Sequence, residues 1–219
     1  MPYRSKTDRE TILATAMDQV VRDGIDKLAI RSVAAALDLT PNALYRYFPS
    51  LAALEAALAD ESRLRLLDAL QKAAGKKSPE ASIRSIARAY VRFARDQPQL
   101  FSLTLRPAAA ETEGEASHLK SWHFVLGQVA RIYGQKKAPK AAISLWAFLH
   151  GMTVLEAAGV FGEQKPVSGF EFGLEMWVKA ASAEGDQLAN GIVDEAQLLS
   201  LRSGLSTSRR SMGSRSGGR

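Results

Sequence analysis

Residues 30–50, IRSVAAALDLTPNALYRYFPS, have the apolar spacing of two short helices joined by a tight turn. In such a pair the apolar residues recur every three or four positions and face a shared core. Five side chains fit that spacing: Val33, Ala34, Leu37, Leu44 and Phe48. The pattern predicts a helix-turn-helix unit near the start of the chain.

The second of these helices has a well-marked start and a polar outer face. Thr40 is a good N-cap residue, and Pro41 suits the first helical position, where its missing N–H costs nothing. With Leu44 and Phe48 turned inward, a helical wheel places Asn42 and Arg46 outward. Two tyrosines flank that face, Tyr45 and Tyr47. The face is suited to the major groove of DNA.

The residue types on this face can read bases. Arg forms paired hydrogen bonds with guanine, Asn pairs in the same way with adenine, and Tyr reaches a phosphate or a thymine methyl group. Taken singly, Tyr45 and Tyr47 are better explained as half-buried helix residues, and Arg46 as a solvated one. The order of the residues decides between the two interpretations.

The segment LYRYFPS at 44–50, followed by Leu54, resembles the recognition-helix signature of the TetR family of transcriptional regulators. About 55 N-terminal residues share the resemblance, including Gly24 after a first helix. That helix carries Ile12, Leu13, Ala16, Met17 and Val20. The match also includes Leu28, Arg31, Val33 and Ala34.

For a regulator of this kind we expect Arg31 and Thr40 to anchor phosphates at helix N-termini. Asn42, Ala43 and Arg46 would read base edges, and Tyr45 and Tyr47 would clamp the DNA backbone. The predicted DNA-binding set is Arg31, Thr40, Pro41, Asn42, Ala43, Tyr45, Arg46 and Tyr47.

Two positions depart from the family pattern. Asp38 stands in the turn where the family usually has Gly, because the backbone there tends toward a left-handed conformation that Asp tolerates better than most residues. Leu51 stands where Lys or Arg usually pairs with a phosphate. Losing one phosphate contact predicts weaker or less salt-sensitive binding rather than none.

Composition and an apolar spacing of mostly three to four favour an all-α fold. The resemblance implies an N-terminal three-helix helix-turn-helix DNA-binding domain and a C-terminal helical ligand-binding and dimerisation domain, with about nine helices in total. We assign residues 1–50 to the first domain, 51–185 to the second, and 186–219 to a mostly disordered tail ending in Ser, Gly and Arg. Further helices are predicted from Leu51 to about Gly75, from Pro79 to about Gln97, over 119–133, over 139–161 and over 170–182. A short apolar segment lies at 100–105, and 106–117 is predicted to be a loop.

The net charge of +6 does not by itself indicate a nucleic-acid partner. Residues 1–60 hold seven Lys and Arg against eight Asp and Glu, whereas residues 61–110 hold ten against four. The predicted DNA-reading unit is therefore not basic, and the case for DNA depends on the outer face of its second helix. Six arginines in the basic stretch are expected on solvated helix faces: Arg63, Arg65, Arg84, Arg88, Arg92 and Arg95.

The segment LWAFLHG at 145–151, followed by Leu155 and Glu156, resembles the effector domain of one TetR subgroup, in which a Trp precedes a His-Gly pair. The spacing around Pro98 and Phe101 agrees with it. This resemblance implies a homodimer in which the last two helices of the C-terminal domain pair with their symmetry mates. It also implies a ligand cavity inside each subunit.

Apolar and aromatic side chains of the second domain are candidates for that cavity, with Tyr90 and His150 as sparse polar groups. The full set is Tyr90, Phe101, Leu105, Trp122, Leu126, Trp146, Leu149, His150, Met152, Leu155 and Met176. Any one of them could instead pack in the core or across the dimer interface. For His150 the first expectation is a hydrogen bond to a backbone carbonyl, with ligand contact second, and no metal site is expected.

The leading hypothesis is a cytoplasmic repressor that binds double-stranded operator DNA and responds to a small apolar or amphipathic effector, without cofactor or membrane; activator behaviour stays open. An enzyme is disfavoured, because there is no Gly-rich phosphate loop, nucleophile elbow or metal-ligand cluster in the sequence. There are no cysteines. A third interpretation is a ligand- or partner-binding dimer whose DNA binding is weakened by Asp38 and Leu51.

Overall fold

The computed structural model of the chain describes residues 7–106, 114–162 and 166–180. Helices and their connecting turns make up these residues, with no strand among them, so the predicted all-α class is confirmed. The chain divides into two units, residues 1–174 and 175–219. Only 175–180 of the second unit are described, and the predicted tail at 186–219 lies outside the described residues.

Three helices form the N-terminal part: α1 (Arg9–Asp23), α2 (Ile30–Ala36) and α3 (Pro41–Tyr45), with a short 3-10 turn at Ile25–Lys27. Helix α1 begins where the Asp8 carboxylate accepts a hydrogen bond from the Thr11 amide at 2.7 Å. The core between the three helices contains Ile12, Ala16, Met17, Val20, Val33, Ala34, Leu44 and Phe48. The predicted inward face is confirmed for all of its members except Leu37, which is half-buried.

Helix α4 (Leu51–Ala74) begins at Ser50, whose hydroxyl accepts from the Ala53 amide, and ends at Gly75, whose φ is positive. Helix α5 (Pro79–Asp96) begins at Ser78 and ends before Pro98, which starts the short α6 (Pro98–Thr104). Pro stands at the first helical position of both α5 and α6, where its missing N–H costs nothing. These bounds agree with the predicted ends of the two longer helices within a few residues.

The segment α7 (Gly114–Ala157) consists of two helices that meet at a kink at Gly134, where the backbone is not helical, with a φ of 70° and a ψ of 162°. The two helices predicted over 119–133 and 139–161 are its two halves. The predicted loop at 106–117 is wrong over 114–117, which are helical, while 107–113 lie outside the described residues. A last helix, α8, spans 166–180. No helix in the described part of the chain combines the length and apolar character that a membrane span requires.

Within residues 1–174, α4 packs against α5, α6 and α7, and α6 also contacts α1. The start of α8 packs on α7 through the rings of Phe148 and Phe170, which stack with centroids 6.2 Å apart. Gly173 suits this contact, because a Cβ there would lie 2.5 Å from the far end of the Phe148 ring, and the ring or the backbone would have to move. Helix α4 therefore links the N-terminal core to the helices of the C-terminal part.

Candidate functional site

The outer surface of α3 carries the side chains that the sequence predicts to meet DNA. Asn42, Tyr45 and Arg46 are exposed, while Leu44 between them is fully buried. Pro41 and Ala43 are half-buried at the first turn. An exposed amide and guanidinium next to each other can form the paired hydrogen bonds that adenine and guanine offer in the major groove.

Two further predicted phosphate contacts lie at helix starts. Arg31 is exposed in the first turn of α2, and Thr40 is exposed in the N-cap position of α3. The Thr40 hydroxyl forms no capping hydrogen bond within the described residues, so the cap position was predicted correctly but not the bond. Main-chain N–H groups at a helix start favour an anion, and an adjacent hydroxyl adds a donor.

Tyr47 differs from the other predicted DNA contacts. It is half-buried, and its hydroxyl donates to the main-chain oxygen of Thr7, 2.9 Å away. On the same side of the core, the Arg9 guanidinium lies 4.9 Å from the centre of the Phe48 ring. Both contacts attach the end of α3 to the start of α1, which holds the α3 surface in place.

The turn between α2 and α3 has the predicted left-handed backbone. Asp38 has a φ of 54°, and it is the only residue other than Gly with a positive φ in the described part of the chain. Leu51 is half-buried at the first position of α4 and presents no charge there. The two departures from the family pattern therefore differ in effect: Asp38 keeps the expected turn, whereas Leu51 offers no cation to a phosphate.

Four of the predicted effector-site residues lie together at the contact of α5, α6 and α7. The Trp146 indole N–H donates to the Tyr90 hydroxyl at 3.3 Å, and that hydroxyl lies 3.3 Å from His150 Nδ1. The Phe101 ring meets Tyr90 edge-on at 5.4 Å and lies 5.7 Å from the His150 ring. His150 thus contacts a side-chain hydroxyl rather than the backbone carbonyl that was the first expectation.

Burial shifts the pKa values of two groups in this cluster. It raises the pKa of Tyr90 to about 12, an effect that the hydrogen bond from Trp146 partly opposes. Burial also lowers the pKa of His150 from its ordinary value of 6.5. In both cases the uncharged form is favoured because an apolar surrounding solvates charge poorly. The cluster is therefore neutral at pH 7.

The other predicted effector-site residues are more dispersed. Leu149 is buried on α7, one residue from His150. Trp122 and Leu126, before Gly134 on α7, and Met152, after it, are all half-buried. Three more are exposed: Leu105, Leu155 and, in the second unit, Met176.

Arg63 is not on a solvated face, contrary to the sequence-based expectation. It is 5% exposed in the middle of α4, and it holds the C-terminal end of α6 by hydrogen bonds to the main-chain oxygens of Thr104 and Arg106. Burial lowers the pKa of Arg63, and the nearby charge of Asp60 acts in the opposite direction. The spacing of Ala59, Arg63 and Leu66 on one buried face was the signal that could have revealed it.

The other arginines of that stretch are half-buried or exposed, as predicted, and most are paired with carboxylates. Arg88 binds Glu171 through two hydrogen bonds, and Arg95 binds Glu156. These two pairs connect α5 to α8 and α7. Arg84 pairs with Glu80 and Arg65 with Glu61, each within one helix, and Arg92 is exposed.

Comparison with known proteins agrees with this arrangement. Residues 12–58 match the model described as "Bacterial regulatory proteins, tetR family", and residues 83–176 match "Tetracyclin repressor-like, C-terminal domain". The uncharacterised HTH-type transcriptional regulator Rv0681 of Mycobacterium tuberculosis is 26% identical over 166 residues, which cover 73% of this chain and 74% of the relative. The uncharacterised HTH-type regulator YobS of Bacillus subtilis is 23% identical over 177 residues, 76% of this chain and 88% of the relative.

A solved structure from Rhodococcus sp. RHA1, of a protein with unknown function, superposes with a TM-score of 0.71 at 26% identity. The superposition covers 82% of this chain and 98% of the other. The fold and the exposed surface of α3 define a DNA-binding protein of the helix-turn-helix class. The chain belongs to the TetR family of transcriptional regulators, which act by binding DNA and not as enzymes.

Proposed function

We propose that this regulator is a ligand-responsive repressor that binds a palindromic operator as a homodimer and is released by a small, largely apolar effector. In this account Asn42, Ala43 and Arg46 contact base edges, while Arg31, Thr40 and Tyr45 contact phosphates. Pro41 sets the first turn of α3, and Tyr47 acts by holding α3 against the N-terminal segment through its bond to Thr7.

The dimer is proposed to form through the second half of α7 and through α8. Large apolar side chains are exposed on these segments, with Ile143 at 55%, Val154 at 49% and Phe172 at 68%. Leaving this much apolar surface in water is unfavourable, and a second copy of the chain would cover it. Two α3 helices could then enter major grooves about one helical turn, about 34–36 Å, apart.

The observation that carries the regulatory proposal is the position of α6. Its Phe101 ring belongs to the aromatic cluster at Tyr90 and His150, while its C-terminal end is held by Arg63 of α4. Five residues separate the end of α3 from the start of α4. A ligand that displaces Phe101 would therefore act on the helix that positions the DNA-binding surface.

The mechanism is a linkage between two sites. An effector that prefers one arrangement of α6 and α4, and DNA that prefers another, weaken each other's binding by the same factor. No covalent step is needed, and the effector can shift the equilibrium only by its difference in affinity for the two arrangements.

Fluorescence anisotropy of a labelled operator, measured with and without each compound of an apolar panel, tests this proposal. At least one compound that raises the melting temperature is expected to lower operator affinity, and operator DNA should lower the affinity of that compound equally. Compounds that bind yet leave operator affinity unchanged would contradict effector control.

A second experiment tests the dimer. Phe172→Glu should shift the mass in solution to that of one chain, whereas Val21→Glu, at an exposed position on α1, should not.

A further inference from the structure

Three polar side chains of the aromatic cluster form a directed chain of hydrogen bonds. The Trp146 indole nitrogen can only donate, so the Tyr90 oxygen, 3.3 Å away, is the acceptor. The remaining hydrogen of the Tyr90 hydroxyl is then free to point at His150 Nδ1, also 3.3 Å away. If His150 Nδ1–H donated to the Tyr90 oxygen instead, the hydroxyl hydrogen of the buried Tyr90 would have no acceptor in the described residues, which is unfavourable.

This direction determines the tautomer of His150. When Nδ1 accepts a hydrogen bond, the neutral imidazole carries its proton on Nε2. Because burial disfavours both the phenolate of Tyr90 and the imidazolium of His150, neither group changes charge near neutral pH. His150 is half-buried, and within the described residues it makes no hydrogen bond through Nε2. The chain therefore ends in one oriented N–H donor.

We propose that this Nε2–H of His150 is the polar anchor of the effector site, and that the effector presents an uncharged hydrogen-bond acceptor to it. A ketone, ester or amide oxygen beside an aromatic or aliphatic body has this chemistry. The inference rests on the proposed effector control and adds the chemical class of the effector. The Phe101 ring, 5.7 Å from the imidazole, supplies an apolar wall next to the donor.

Other ligand chemistries fit the cluster less well. A ligand that only donates would find Nδ1 already occupied by Tyr90. An anion would need a cation nearby, and two arginines that face α7 and α8 from α5, Arg95 and Arg88, are each bound to a glutamate. A pure hydrocarbon would make the apolar contacts and leave the N–H without a partner.

The test compares acetophenone with cumene, in which an isopropyl group replaces the acetyl group and removes the acceptor at nearly constant shape. Affinities are measured by calorimetry on the full chain, and nitrogen-15 NMR of labelled histidine reports the tautomer of His150. We expect acetophenone to bind about fivefold to tenfold more tightly than cumene, the factor expected of one hydrogen bond. The His150 signals should show a protonated Nε2 and an unprotonated Nδ1 at pH 7.

Matched variants separate the hydrogen bond from the packing. His150→Phe should bind the two compounds equally, because it keeps an aromatic ring and removes the donor. His150→Gln should retain part of the preference through its amide N–H. Tyr90→Phe should weaken the preference and mix the two tautomers. His123→Gln, at an exposed position on the half of α7 before Gly134, should behave like the wild-type chain.

Equal affinities for the two compounds in the wild-type chain, no binding of either, or a proton on Nδ1 would overturn the proposal. Operator binding is measured on the same preparations without any compound. A chain that binds its operator, releases it in response to some other compound and shows no ketone preference would refute the ligand class alone. If no compound changes operator binding by the wild-type chain, the proposed function, on which the ligand class rests, is refuted.

Discussion

Arg63 on α4 donates a hydrogen bond from Nε to the main-chain oxygen of Thr104, 3.1 Å away, at the last residue of α6. A second bond from the same guanidinium goes to the Arg106 oxygen. Main-chain oxygens at the end of a helix lack partners within the helix. A cation at that end also interacts favourably with the partial negative charge of the helix dipole. One side chain of α4 therefore completes the C-terminus of α6.

Arg63→Met is expected to lower the free energy of unfolding by about 2 kcal/mol, because it leaves two carbonyl oxygens without their charged donor. Arg65→Met is the matched control on the same helix, since Arg65 is exposed and, among the described residues, pairs only with Glu61. That change should cost about 0.5 kcal/mol or less. Urea denaturation followed by circular dichroism measures both, and equal small losses would show that Arg63 does not stabilise α6.

Asp38→Gly is expected to raise the free energy of unfolding by about 0.5–1 kcal/mol, because Gly adopts the observed φ of 54° without strain. Asp38→Ala should lower it by about 1 kcal/mol for the opposite reason. Ala35→Gly, an exposed position inside α2, serves as the control for the flexibility of Gly and should destabilise by about 1 kcal/mol. If both Gly variants lose stability equally, the left-handed backbone conformation of Asp38 is contradicted.

Acidification should destabilise the wild-type chain more than His150→Gln. Burial lowers the pKa of His150 below 6.5, so the unfolded chain binds the proton more readily than the folded chain does. The stability contributed by neutral His150 is fully present above the unfolded pKa and is lost as the pH falls toward the folded pKa. Unfolding free energies compared at about pH 7.5 and about pH 5.5 test this. An equal loss of unfolding free energy in the two proteins between these pH values would contradict the lowered pKa of His150.

Arg46→Ala should relax the base preference at one position of each half-site, at a cost of about 1–3 kcal/mol on the preferred sequence. Arg31 is an exposed arginine that we assign to a phosphate. Arg31→Ala should instead weaken binding to all sequences and reduce the slope of log affinity against log salt concentration by about 1. Binding to a set of singly substituted operators measures both effects. Equal loss on every sequence for Arg46→Ala would contradict its role in reading a base.

Several helices could be predicted from the sequence because their starts and buried faces depend on local signals. Asp8, Ser50 and Ser78 cap their helices, and the apolar spacing from Ile12 to Phe48 describes one small core. Even the conformation of Asp38 followed from the residue types of the turn. The existence and the inward faces of these elements were therefore accessible without the structure.

Long-range contacts were not accessible in the same way. The partners of Arg63 are main-chain oxygens 41 and 43 positions away, and the residue types at those positions do not predict the contact. Tyr90 and His150 were both predicted for the effector site, but the hydrogen bond between them joins α5 to α7 across 60 positions. Such contacts depend on how helices pack, and helical periodicity identifies the buried face without identifying its partner.

Selection of bound sequences from a random DNA pool by the purified protein, followed by titration of the best site at two salt concentrations, tests the central claim most directly. We predict enrichment of an inverted repeat whose half-sites lie about one helical turn apart, with a clear preference over random DNA. If no sequence is enriched even at low salt, the claim that this chain reads an operator through α3 is contradicted.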